Sequence, residues 1–347
     1  MFSIKPKSSI SAIIAALAFT ASMDNFANFA YAADVVAAPP APAAAVVRTA
    51  FDGNIRNNSL ALSPDETTAA VSYSERSEVI VYNLQTGTVR GVLRGYVTPR
   101  NIVFAPDGKA FYISDSSRGE VVKIDTATLA TISRIAAGPG AFGTALSADG
   151  KTLYVNNQAR STVTRFDTES EQARAVIVGF AQPRQGVRLS PNGSKLYVTN
   201  FLGDKVTIVD TATNKIDGEI TGFNKIRAIS VTADGKTMFA ANSGSNSVAV
   251  VDIANRQILS TVAVGKDPYG AALSPDGRAI YSGNLADNTV SVIDVATLKV
   301  SATISGFKEP RQAIVFTHDG KTAYVLNVDL SISKVDRASQ KIVATIA

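Results

Sequence analysis

Short apolar bursts alternate with short turns along almost the whole chain. In KLYVTNFLGDKVTIVDTATNK (195–215), two β-branched runs are separated by one link and closed by another. Alternation over four to six residues, bounded by Gly, Asp and Asn, predicts half-buried strands. Close variants recur at Phe111 (FYISDSSRGEVVKIDTAT), Leu153 (LYVNNQARSTVTRFDTES) and Ile280 (IYSGNLADNTVSVIDVAT). Nothing between them keeps a helical period over a useful length.

Two markers measure the repeat. The D-G-K-type turn falls at Asp65, Asp107, Asp149, Asn192, Asp234, Asp276 and Asp319, at spacings of 42 or 43 residues. The residue closing each V-x-V-x-D run falls at Asn83, Asp125, Asp167, Asp210, Asp252, Asp294 and Asp336, again at 42 or 43. Each unit holds four strand signals, A to D, which in the fourth unit are 185–189, 195–199, 205–209 and 215–220. Links of a few residues force neighbouring strands to pair antiparallel. Four such strands every ~40–45 residues are the signature of a propeller blade. The expected fold is therefore all-β, a seven-bladed β-propeller of four-stranded antiparallel blades. Radial closure leaves no long edge to cover, so a monomer is expected.

The turn residues have local reasons. Asp-Gly between strands A and B supplies a position with positive φ. The Asp between strands C and D can accept bonds from the N–H groups of its own turn. Symmetry spreads these acids around a rim, so no metal site is expected from them. The chain offers seven A, B and C strands but eight D-like ones. VVRTAF (46–51) resembles KIVATI (341–346), and either could complete the outer edge of the last blade.

Composition narrows the chemistry. The formal charge is +5, a mild excess that permits an anionic partner. The chain has no Cys, one His and no Trp. This removes disulfides, thiol catalysis, Cys-ligated zinc, c-type haem attachment and His-rich metal sites. Residues 1–32 read as a signal peptide: Lys5 and Lys7, an apolar stretch at 10–19 too short to span a bilayer, and Ala30-Tyr31-Ala32 before the cut. Residues 33–45 are an Ala/Pro-rich linker, and 46–347 form the propeller. A periodic pattern after an export signal predicts a periplasmic protein, or alternatively a secreted or surface one. No transmembrane span is expected in the mature protein.

The phrase YVTN (197–200), followed by KVTIVDTATNK, resembles the YVTN-type β-propeller repeat family, as do SPDGRAIYSGN and NTVSVIDVATLK. The resemblance covers about 46–347. It implies an exported bacterial or archaeal protein that binds rather than catalyses. Some similar propellers are thought to bind DNA, and surface-layer relatives are adhesive or structural.

One feature is not required by the repeat. Four D–A loops read Gly-aromatic-x-x-x-Arg: GYVTPR (95–100), GFAQPR (179–184), GFNKIR (222–227) and GFKEPR (306–311). Each leads into an innermost strand. Symmetry therefore points Arg100, Arg184, Arg227 and Arg311 toward one channel mouth, with Arg56 a candidate fifth. The remaining loops put Phe142 and Tyr269 in the equivalent place, and the B–C loops add Arg76, Arg118 and Arg160. Two readings are open. The guanidinium groups form a mouth for an anionic ligand, since Arg suits bidentate carboxylate or phosphate recognition. Alternatively each pairs with a neighbouring acid such as Glu78, Glu120, Asp204 or Asp287. The loop aromatics Tyr96, Phe180, Phe223 and Phe307 are expected to pack between blades.

Other chemistry is sparse. His318 sits on an A–B turn of the opposite face and reads as a solvated residue. GPGAFG (138–143) precedes a strand, not a helix, so it cannot offer a helix N-terminus to phosphate. No G-x-S-x-G elbow, P-loop or metal spacing occurs. The expected function is a non-enzymatic binding module without a cofactor. Its ligand would be nucleic acid, an acidic peptide or an envelope glycan, or a partner protein bearing one. The alternatives are a lactonase-like hydrolase and a purely structural or adhesive module.

Overall fold

The computed structural model describes Arg48 and residues 55–347. The signal peptide, the linker and the strand expected at 46–51 lie outside the described residues. Twenty-eight strands form seven four-stranded sheets, and no helix occurs among the described residues. The sheets cover 58–93, 99–136, 141–178, 183–220, 226–263, 272–305 and 314–346, here blades 1 to 7. Within each, strands pair in chain order and antiparallel. The seven-bladed propeller expected from the repeat is the observed fold.

The choice of closing strand is settled. Lys341–Ile346 pairs with Ile332–Asp336, so the C-terminal strand completes blade 7. Every blade is thus one uninterrupted stretch of chain.

Burial follows strand position. The B strands are enclosed on both faces: Thr68–Tyr73 and Ala110–Asp115 are buried throughout. The outermost strands keep mostly exposed residues, as in Lys215–Ile220. Apolar clusters lie between blades. One joins Tyr197, Val206 and Ile208 of blade 4 to Met238, Ala240 and Val251 of blade 5. Another closes the ring by joining Leu60, Val71 and Tyr82 of blade 1 to Tyr324, Leu326 and Ile332 of blade 7. There the Tyr82 hydroxyl donates to the Leu330 carbonyl at 3.0 Å. His318 is exposed, as expected, yet it also contacts Glu66 of blade 1 at 2.9 Å.

The turn chemistry matches its expectation. Asp107, Asp149 and Asp234 accept the amides of Lys109, Lys151 and Lys236 at 3.0–3.1 Å. Asp125, Asp210 and Asp294 accept those of Thr128, Thr213 and Thr297 at 2.7–2.9 Å. These bonds favour the ionised carboxylate. Asp210 is held down to about 2 by the Thr213 amide and then by the Lys195 ammonium. Asp149, Asp167, Asp234 and Asp336 are also lowered, each chiefly by a turn hydroxyl or amide.

A carboxyl whose folded pKa is depressed stabilises the fold above its unfolded value, and the benefit is lost as pH falls through the folded one. The melting temperature should therefore stay level down to about pH 5 and fall steadily between about pH 4 and pH 2. Asp115 runs the other way, because burial raises its pKa and its charge opposes folding at neutral pH. It is one group against many. Calorimetric scans at constant ionic strength check this, and a melting temperature that rises on acidification contradicts it.

Candidate functional site

The D–A loops carry the mouth, and their local structure explains the Gly-aromatic-x-x-x-Arg pattern. The four glycines have φ of 92–103°, which side-chain-bearing residues rarely adopt. The chain then turns inward, so Tyr96, Phe180, Phe223 and Phe307 enter the inter-blade clusters and are 5–7% exposed. This matches the expectation that they pack between blades.

Each loop is fastened by the residue ending strand B, the Asn of the YVTN phrase. Asn200 accepts the Ala181 amide at 2.7 Å and Asn327 accepts that of Lys308 at 2.9 Å. In blade 2 the same place holds Asp115, which accepts the Val97 and Thr98 amides at 2.7 and 3.1 Å. Asn327 also donates to Ser331 and Ser333 at 3.0 Å each. Asn327→Ala leaves these partners unsatisfied and should cost about 1–3 kcal/mol. Urea melts read that loss. A change below about 0.5 kcal/mol would show that the loop holds itself.

The Arg residues sit where the innermost strand breaks register. In blade 2, Pro99 faces Asp115 and Ile102 faces Ile113, leaving Arg100 and Asn101 opposite one residue. Blade 5 does the same at Arg227 and Ala228. Blade 4 fits Arg184, Gln185 and Gly186 between the pairs Pro183–Asn200 and Val187–Val198. Bulges bend the strand and re-aim its side chains, here toward the channel. Gly186 is needed because a Cβ there would collide with the Thr199 side chain.

Arg184, Arg227 and Arg311 line a cavity of about 570 Å³ at the mouth. Arg and aromatic residues alternate around it. The Arg184 guanidinium lies 3.3 Å from the centroid of the Phe201 ring. Arg227 stands 5.7 Å from Phe201 and 4.7 Å from Tyr269, and Arg311 stands 5.0 Å from Tyr269. Such contacts hold guanidinium groups by their faces and leave N–H edges for other partners. Arg227 donates through Nε to Ser243 at 3.0 Å. Arg311 has Glu309 of its own loop at 3.7 Å. The Arg184 guanidinium has no hydrogen bond or carboxylate among the described residues, and its buried Nε lacks a partner. Burial, then the charges of Arg227 and Arg100, push its pKa down to about 10.

The acids named for the pairing alternative are engaged elsewhere, and of the three arginines lining the cavity from these loops only Arg311 has a carboxylate within 4 Å among the described residues. Glu78 bonds Arg94, Glu120 bonds Arg118 and Arg134, and Asp204 and Asp287 accept the backbone amides of Ile226 and Lys266. Pairing holds at the rim, where Arg56 pairs with Glu75 at 2.9 Å and Arg118 with Glu120 at 2.8 Å. Arg76 and Arg160 are exposed.

Arg100 differs from its three counterparts. It is 0% exposed and does not line the cavity. It donates to Ser116 Oγ at 2.8 Å, to the Ile55 carbonyl at 2.8 Å and to Asn57 Oδ1 at 2.6 Å, and lies 4.4 Å from the Phe142 ring. Phe142 and Tyr269 both line the cavity, Phe142 at 1% exposure.

Sequence reasoning did not anticipate Phe201, Gln185, Gln312 or Arg188. The two Gln side chains form a bar across the channel. Gln312 donates to Gln185 Oε1 at 2.6 Å, both donate to the Asn58 carbonyl at 2.9 Å, and Asn57 donates to Gln185 Oε1 at 3.0 Å. Blade 4 is thereby tied to blades 7 and 1 on the far side of the ring.

Comparisons with known proteins agree on the fold. A family model described as the lactonase seven-bladed β-propeller matches residues 58–217, and one described as the cytochrome D1 heme domain matches residues 192–329. Each spans less than half of the chain. A solved chain of the hydrazine synthase from Kuenenia stuttgartiensis superposes with a TM-score of 0.74 at 20% identity, covering 80% of this chain and 95% of that one. No curated protein matches the sequence. These similarities place the chain among β-propellers.

Proposed function

We propose that this β-propeller is an exported, non-enzymatic module of the YVTN type that captures an anionic group in the arginine-lined mouth. One observation carries the reading. Arg184 is stacked, desolvated and crowded by like charges, yet has no acid beside it among the described residues. A carboxylate or phosphate entering the mouth would supply the missing counter-charge and accept the free N–H edges. The cavity is within the usual size range of ligand pockets.

The lactonase likeness suggests hydrolysis, but the described lining contains no carboxylate and no imidazole to act as general base or acid. The heme-domain likeness fits no better. The described lining has no His, Met or Cys, and Tyr269, the one side chain of an iron-binding class, is flanked by Arg227 and Arg311. Periplasmic location and a monomeric state belong to the same proposal.

The test is fluorescence anisotropy with three labelled probes: an oligoglutamate peptide, a single-stranded oligonucleotide and a uronic-acid oligosaccharide, against oligolysine as control. Binding of at least one anionic probe is expected, weakening as salt rises. Equal affinity for oligolysine, or no binding at low salt, would remove the reading.

A further inference from the structure

Arg188 is not part of the mouth motif, and its setting is distinct. It lies four residues beyond Arg184 along the innermost strand of blade 4, on the other side of Gln185. Across the bulge the partner strand advances only from Asn200 to Tyr197, so at about 3.3 Å per residue Arg188 lies less than about 10 Å deeper. The same repeat position is small or apolar in every other blade: Ala61, Val103, Ala145, Ser230, Ala272 and Val315. Arg188 is the one charge in that ring. It lines both the mouth cavity and a second cavity of about 420 Å³ that opens among the A–B turns of the opposite face. Its side chain is thus surrounded by the channel wall while remaining open to the water inside.

Among the described residues the Arg188 guanidinium bonds only its neighbour's backbone, donating from Nη1 to the Val187 carbonyl at 2.9 Å. The one carboxylate of the lower cavity, Asp276, is engaged by Arg337 at 3.2 Å. On the adjoining blade, the ring position holds Ser230, whose buried hydroxyl has no partner. A guanidinium with a single backbone acceptor and a hydroxyl with none among the described residues thus share one level of the channel.

We infer that this level is a second anion site, centred on Arg188 with Ser230 beside it, taking a small monoanion of the halide or formate class. A confined cation with low-dielectric walls concentrates counter-ions, and a single positive charge without a carboxylate partner is matched by a monoanion. The site does not rest on the mouth reading, because it uses other residues.

Bromide-soaked crystals of the protein test it by anomalous scattering. A peak within hydrogen-bond distance of the Arg188 guanidinium is expected in the wild type and in R184A/R227A/R311A, and none in R188L. Leu is tolerated there sterically, since Val103 and Val315 occupy the same ring. R188Q keeps the bulk and should also lose the peak. In solution, ³⁵Cl NMR of the triple variant should show excess linewidth that vanishes when R188L or R188Q is added. A wild type without bromide at Arg188, or linewidth indifferent to Arg188, overturns the inference. Loss of acidic-peptide binding with the bromide peak retained would separate this site from the mouth.

Discussion

Alanine at Arg184, Arg227 and Arg311 together is expected to weaken capture of the preferred anionic probe by at least about 100-fold and to flatten its salt dependence, with the fold retained. Each charge-assisted hydrogen bond contributes about 1.5–3 kcal/mol, so losing several gives two or more orders of magnitude. Retention of the fold follows from the electrostatics. Arg184 has its pKa lowered by burial and by neighbouring cations, so its charge opposes folding and is not needed for it. Removing three like charges from one mouth relieves repulsion and offsets the lost stacking on Phe201 and Tyr269. Anisotropy titrations read the affinity, and circular dichroism the fold. Undiminished affinity in a folded triple variant would end the proposal that these residues bind the ligand.

Arg100→Ala should behave in the opposite way and chiefly unfold the protein. The side chain is fully buried and gathers Ser116, Ile55 and Asn57 from two blades beneath Phe142. Breaking a buried, hydrogen-bonded charge costs about 3–5 kcal/mol, through the partners left unsatisfied and the void left behind. In a domain of this size that lowers the melting temperature by on the order of 10 °C. Arg100→Lys should not rescue it, because a compact ammonium cannot reproduce the planar fork. A melting temperature within a degree or two of wild type, with weakened probe binding, would return Arg100 to the mouth.

The contrast between these two variants marks how far the sequence was readable. Strand pairing and turns repeat within a few residues, so period-two alternation and Asx turns were enough to specify seven blades. The loop motif was equally visible. Its glycine and aromatic were assigned from local geometry, and Arg184, Arg227, Arg311, Phe142 and Tyr269 do meet at one cavity. The depth of Arg100 was not visible, since it is set by Asn57 and Ser116, which are distant in sequence. Two signals were present but unread. The 43-residue spacings fall at blades 4 and 7, where the extra residue lets Gln185 and Gln312 reach across the channel. Arg188 stands out only when one repeat position is compared across all seven blades.

Each blade begins and ends within its own stretch of chain, with the last strand supplied by the same segment as the first three. The gene is therefore modular at the level of the sheet: a cut in any D–A loop separates whole sheets and severs none. The blade 7–blade 1 contact is one more inter-blade face of the same kind, packed by Tyr82, Leu326 and Ile332. Copying or deleting about 42 residues adds or removes one complete wedge, with its D–A loop carried along. The chemistry of the mouth and the size of the ring can then diversify by the same genetic event. Mixed loops on nearly identical blades, with arginine in four and other residues in three, are the record such events would leave.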